Sequence, residues 1–256
     1  LGSVNSNGNA DLYSVAGNLP NIGSAYSGGA WFRVYEYSGG AAGKSLWDFG
    51  IIADAAAWQA KTGNGTVGAA GTLIINWQQN GGNDHFTANI LTGSDTDWVY
   101  VCWARSLGQT SYDWWGRRQG DATFTLGGSV SATDAPTVYN LGIATSPLKI
   151  FDDEQTTPHP NVSCRSWKVW TRTLTSAELL QESASLDSVV NSTGIYSFQP
   201  FSTVVNAGDD ASGNGNNLII ENSLAADSSE PNAALPGPPS PSSPTPQSSL
   251  FFGSNV

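Results

Sequence analysis

The segment Cys164-Arg165-Ser166-Trp167-Lys168-Val169-Trp170-Thr171-Arg172-Thr173-Leu174-Thr175-Ser176-Ala177-Glu178-Leu179-Leu180 constrains the fold more than any other part of the chain. It reads as an aromatic-rich strand that turns into a short capped helix. Thr175 and Glu178 have the spacing of a capping box, in which each side chain satisfies a backbone N–H that the first helical turn leaves unpaired. The pattern predicts one helix over about 175–187, with Leu179, Leu180 and Leu186 as a modest buried stripe before Asn191 and Gly194 end it. Elsewhere, short apolar runs lie between Gly-, Asn- and Ser-rich joints, as at 73–77, 86–91, 98–104, 123–126 and 148–151. Runs of that length between turn signals predict many short strands. At 256 residues the chain is long enough for one large all-β domain over 1–230 and a tail over 231–256.

Four segments, in this order along the chain, resemble the concanavalin A-like (laminin G-like, pentraxin-like) jelly-roll domains. Residues 10–15 followed by Gly29-Ala30-Trp31-Phe32-Arg33-Val34 look like the opening strands, and 97–104 look like the central strand that begins "W-x-x-V". The strand and helix at 164–180 look like the closing segment, and Asp210-Ala211-Ser212-Gly213-Asn214-Gly215-Asn216 looks like the "D-x-S-G-N-G-N" loop common around such domains. The resemblance implies a two-sheet antiparallel jelly-roll sandwich. Some laminin G-like and pentraxin-like domains hold calcium, so Asp152, Asp153 and Glu154 are candidate oxygen ligands. Asp209, Asp210 and the 212–217 loop form a second oxygen-rich candidate.

The charge balance, 21 acidic against 10 basic side chains, disfavours nucleic acid, which needs a cationic stripe. Zinc and serine or cysteine triads would have to use His85 or His159, neither with a partner at ligand spacing. A retaining glycosidase needs two carboxyl groups about 5 Å apart, which jelly-roll glucanases supply from one strand as "E-x-D-x-E". Glu36, Glu154, Glu178, Glu182, Glu221 and Glu230 are scattered and match no such motif, so no enzyme is expected.

Ten tryptophans exceed the needs of a core this size. Trp31, Trp98, Trp103, Trp167 and Trp170 are assigned to packing. In a strand, adjacent Trp114 and Trp115 cannot face the same core, so either one is exposed or they cover opposite sheet faces. With Arg117 and Gln119 they are the candidate glycan-binding residues, because aromatic faces stack on the apolar face of pyranose rings. Cys102 and Cys164 lie in two of the clearest strand candidates; a disulfide between them would close a long loop, for about 4 kcal/mol by chain entropy, the alternative being two buried thiols.

Asn64, Asn161 and Asn191 head sequons that accept N-glycans in a secretory pathway. The chain has no Met and no charged-then-apolar leader at Leu1, as expected of a mature chain whose signal is removed. It has no apolar run long enough for a membrane span, so no membrane insertion is expected. An extracellular or particle-surface location follows as the expectation.

From 236 to 246 the chain has six prolines in eleven residues, which favours an extended polyproline arm and rules out a sheet interior. Leu250-Phe251-Phe252 follows as an apolar tip. Laid along its own domain or a neighbouring copy, with Pro238, Pro239, Pro241 and the tip as anchors, such an arm gives a head-to-tail contact that repeats into a ring or filament. Two functions are thus expected, in this order. The first is a non-catalytic structural glycoprotein that assembles with copies of itself into a fibre, appendage or coat, of which a virion decoration protein is a variant. The second is a lectin-like module that binds cell-surface or wall glycans.

Overall fold

A computed structural model describes residues 2–6, 11–14, 25–35, 45–49, 56–62, 73–79, 82–88, 97–106, 111–131, 148–151, 161–221 and 224–235. Within them lie fifteen strands and one helix. The first seven strands are β1 (Ser3–Asn5), β2 (Asp11–Ser14), β3 (Tyr26–Val34), β4 (Ser45–Phe49), β5 (Ala56–Thr62), β6 (Leu73–Gln79) and β7 (Gly82–Ala88). Then follow β8 (Val99–Arg105), β9 (Ser111–Arg118), β10 (Leu126–Ser131), β11 (Leu148–Ile150) and β12 (Val162–Trp170). Helix α1 (Ser176–Ser183) precedes β13 (Ile195–Gln199), β14 (Leu218–Glu221) and β15 (Ala225–Asp227). The strand expected at 123–126 begins only at Leu126, because Asp121 holds a turn there. Its Oδ2 accepts from the Arg118 N–H at 3.2 Å and from Thr125 Oγ1 at 3.0 Å.

All pairings are antiparallel and form two sheets. One runs β10-β9-β8-β3-β12-β1-β15, with β13 also on β12; the other runs β14-β2-β11-β4-β5-β6-β7. This is the jelly-roll sandwich expected from the sequence. Between the sheets, Trp47 of β4 stacks on Trp103 of β8 at 4.8 Å and meets Trp167 of β12 edge-on at 5.8 Å. A β-carbon at Gly28 would lie 2.3 Å from the Trp103 ring, so the absent side chain makes room for that indole. Val4, Phe32, Val99, Ile150, Cys164 and Val169 complete this inner core.

Strict alternation along β12 would put Arg165 outside and Trp167 outside as well. The register shifts between Arg165 and Lys168, and Ser166 takes φ 58°. The extra residue is a bulge: it keeps Trp167 in the inner core and leaves Arg165, Lys168 and Trp170 on the outer face. There α1 covers part of the sheet. Its capping box forms as expected, the Glu178 N–H donating to Thr175 Oγ1 at 3.2 Å and the Thr175 N–H to Glu178 Oε2 at 2.8 Å. The helix ends at Ser183, short of the expected 187, and Leu186 packs from the following turn.

Beneath α1 lies a second apolar cluster of Trp31, Trp98, Tyr100, Cys102, Trp170, Leu174 and Leu179. Three fully buried cations hold its cover in place. Lys168 donates to Glu182 Oε2 at 2.8 Å and to the Ser185 carbonyl at 2.7 Å; burial pushes its pKa down and the Glu182 charge opposes that shift. Arg117 lies over the Trp31 ring at 4.8 Å and donates to Ser183 Oγ at 2.7 Å and to the Ala233 carbonyl. Arg165 pairs with Asp187 at 2.6 Å and with Glu230 at 3.3 Å. Ala233 is buried in the same cluster, and Pro231 is buried too. No helix among the described residues is long and apolar enough to cross a membrane.

Candidate functional site

The outer face of the first sheet changes character along β3 and β12. Val4, Val34, Val162 and Cys164 point into the inner core, so by alternation Asn5, Arg33, Tyr35 and Ser163 lie on the outer face. Asp227 sits on the edge strand β15, opposite Ser3 of β1. Asn5, Tyr35, Asn161 and residues 225–228, Asp227 among them, line a recess of about 350 Å³. Tyr35 is 38% exposed and Asn5 is 8% exposed.

Hydrogen bonds fix this geometry. Asp227 Oδ2 accepts from Ser163 Oγ at 2.6 Å and from the Tyr35 hydroxyl, and Oδ1 accepts from the Ser229 N–H at 2.8 Å. That last bond is an Asx turn, which also ends β15. Burial alone would raise the Asp227 carboxyl, but the bonds from Ser163, Tyr35 and Ser229 outweigh it and hold the group below its ordinary value. Burial, then the bond to Asp227, pushes the Tyr35 phenol up, so it stays protonated and donates. Asn5 Nδ2 donates to Asn161 Oδ1 at 3.1 Å and to Ser163 Oγ at 3.0 Å. The Tyr35 N–H donates to the Asn161 carbonyl at 3.0 Å, and Arg33 lies over the Tyr35 ring at 4.9 Å. The result is a fixed aromatic ring beside two amides and an ionised carboxylate.

The glycan candidates read from the sequence do not come together. Trp114 packs on the inner core, and Trp115 lies on the outer cluster with its ring 6.3 Å from Phe124, so the pair covers opposite faces and both are half-buried. Arg117 is fully buried and belongs to the cover of the sheet, which corrects its assignment to ligand binding. Gln119 holds Asp97 at 3.2 Å and accepts from the Asn232 N–H at 3.4 Å. Trp31, Trp98, Trp103, Trp167 and Trp170 are buried as assigned.

The disulfide is also corrected. Cys102 on β8 faces Gly29 of β3, whereas Cys164 on β12 faces Phe32 of β3. With β3 between them their strands are about 10 Å apart, and the register offset along β3 separates the cysteines further, beyond the roughly 7 Å a disulfide spans; they also lie in opposite cores. Both are free and buried, and burial pushes both thiols up.

Asp152, Asp153 and Glu154 lie outside the described residues, as do Asn64, Pro238, Pro239, Pro241, Leu250, Phe251 and Phe252. Asp210 is engaged by its own loop: its carboxylate accepts from the N–H groups of Phe198, Ser212 and Asn216 at 2.9 Å each and from Ser212 Oγ at 2.8 Å. Gly213 and Gly215 at φ 84° and 77° permit that turn. The loop motif is therefore a structural brace. Among the described residues no group of three or more His, Cys, Asp or Glu side chains is placed to hold a metal ion. Asn191 Nδ2 donates to Glu182 Oε1 at 3.0 Å, so the atom a glycan would modify is engaged in the folded domain. Asn161 lines the recess.

Sequence reasoning missed the recess because its members come from four distant segments, and the one motif among them, the sequon at Asn161, points to modification and not to binding. The one local signal is Tyr35 continuing the polar alternation of Arg33 past the aromatic stretch of β3.

Two antiparallel sheets with the helix on one outer face make this a jelly-roll β-sandwich. Solved structures share it: a protein from Bacteroides ovatus, whose carbohydrate-binding assignment is provisional, has a TM-score of 0.57 and 10% identity over 89% of this chain. This chain spans 61% of that protein's length. The heptameric SAP-like pentraxin of Limulus polyphemus has a TM-score of 0.48 and 11% identity, covering 86% of this chain and 95% of its own. The CBM40 of the Ruminococcus gnavus IT-sialidase has a TM-score of 0.47 and 10% identity, covering 69% and 91%. No protein-family model and no curated protein matches the sequence.

Proposed function

We propose that this protein is a non-catalytic carbohydrate-binding module, working outside the cell or on a particle surface, that takes glycan in the Tyr35 recess. One observation carries the reading: an aromatic ring, two side-chain amides and a carboxylate held ionised converge on one exposed recess. A sugar ring presents an apolar C–H face and a rim of hydroxyls. Tyr35 suits the first, and Asn5, Asn161 and Asp227 suit the second. Asp227 is the single carboxylate among the described lining residues, so the two-carboxylate chemistry of glycosidases has no partner there. A provisional carbohydrate-binding assignment on the same fold in Bacteroides ovatus agrees with this reading.

Glycan binding thereby ranks ahead of assembly through the Pro-rich arm, whose residues 236–256 lie outside the described ones. Binding at the recess is expected to survive EDTA, because calcium takes six to eight oxygen ligands and Asp227 already accepts three hydrogen bonds. The test is calorimetry of the full chain against glycans that score on an array. Tyr35→Ala should weaken binding at least tenfold, about 1.4 kcal/mol, with the thermal midpoint little changed. Unaltered affinity in that variant would remove the recess as the site.

A further inference from the structure

A second recess, of about 600 Å³, adjoins the first. Ala226, Asp227 and Ser228 line both, so the two share a wall formed by β15 and the residue after it. On this far side the walls are Gly2, Ser3 and the segment 202–205. Val204 packs on the inner core, while Val205 is 91% exposed at the rim. An apolar side chain so exposed beside a recess is suited to cover an apolar ligand face. Gly2 keeps the junction narrow: a β-carbon there would lie 2.4 Å from the Asp227 carbonyl oxygen. β15 pairs only with β1 and leaves its other edge unpaired within the described sheet, so a ligand can pass over it.

Resting on the glycan reading above, we infer that the ligand is an uncharged oligosaccharide of more than one sugar unit that lies across β15, one ring against Tyr35 and the next against Val205. A single ring fills one side of a strand and leaves the other empty. The ligand is uncharged because Asp227, between the two recesses, is the only charged side chain among their described lining residues; Arg33, 4.9 Å from the Tyr35 ring centre, is not among them. The chain as a whole carries a formal charge of -11, so a uronic or sialic acid would meet like charge at the centre of the surface.

The experiment is calorimetry of the full chain with neutral β-1,4-linked glucose, mannose and xylose oligomers of increasing length, and with a uronic acid oligomer of matched length. In the best-bound neutral series, affinity should rise at least tenfold from monomer to trimer and then level off. Val205→Ser, a substitution at an exposed position that leaves the cores intact, should weaken the trimer at least threefold and leave the monomer unchanged. A monomer that binds as tightly as the trimer overturns the inference and leaves the module a glycan binder with a single subsite. So does a length gain that Val205→Ser does not reduce, or tighter binding of the uronic acid oligomer. Failure of every array glycan and every oligomer overturns the carbohydrate reading itself, and this inference with it.

Discussion

The two halves of one sheet face differ in what covers them. Toward β8 and β9 the outer face carries Trp31, Tyr100, Cys102 and Trp170, and α1 with the segment around Ala233 buries them. Toward β1 and β15 the same face carries Asn5, Arg33, Tyr35 and Ser163, and a recess stands open there. The border falls within single strands: Trp31 and Arg33 are successive outward positions on β3, and Ser163 and Arg165 on β12. The buried half is fastened by cations fully withdrawn from water, each with several acceptors, whereas the open half is organised by one partly exposed carboxylate. Cover is thus expensive to disturb, and the recess is open to variation.

The largest expected effect comes from breaking the cover. Glu182→Ala strands Lys168 in a dry site, both side chains being 0% exposed, and should cost about 3–5 kcal/mol in urea unfolding. Replacing the pair together, Lys168→Met with Glu182→Leu, should recover most of that loss; failure to recover would show that the bonds of Lys168 to carbonyls and of Glu182 to Asn191 matter more than the charge pair. Next, Thr175→Ala removes the helix cap and should cost about 1 kcal/mol. On the open half, Tyr35→Ala should change unfolding free energy by no more than about 0.5 kcal/mol while weakening glycan binding at least tenfold. A larger stability loss would mean that the two halves are not energetically distinct.

The smallest effect concerns acid. The Asp227 carboxyl has a folded-state pKa below its ordinary 3.8, so it contributes stability that is whole above about pH 4 and is lost as pH falls through the lower folded value. Asp227→Asn should therefore flatten the acid limb of a stability-versus-pH profile below about pH 4. A limb of unchanged slope would place the acid sensitivity elsewhere.

The strand-to-helix passage at 164–180 was legible because its signals are local: a capping box acts within one turn, and within the Asp210 loop the carboxylate accepts from N–H groups two and six residues on. The jelly roll followed from the order of such segments. Ser166 is the counterexample, since nothing in its neighbourhood announces a bulge that Pro200 and Ser185 hold from other segments, at 3.0 Å from the Ser166 N–H and 3.3 Å from its Oγ. Arg117 misled for a related reason. Beside two tryptophans it looks like a surface ligand, whereas Trp31, Ser183 and Ala233, distant from it in sequence, enclose it. The cysteines could not reveal that β3 stands between their strands. The recess was invisible because Asn5, Tyr35, Asn161 and Asp227 meet only in three dimensions.

The placing of β1 has a consequence for the order of folding. Val4 pairs with Cys164 on one side and with Ala226 on the other, so three residues near the start of the chain wait for partners made much later. Contacts so distant in sequence close slowly, because the loop between them must be ordered first. During synthesis, α1 and the tryptophans of β3, β8 and β12 are all available before β15 emerges. A nascent chain halted at residue 221 would hold the residues of the stacked aromatic core and lack the last wall of the recess.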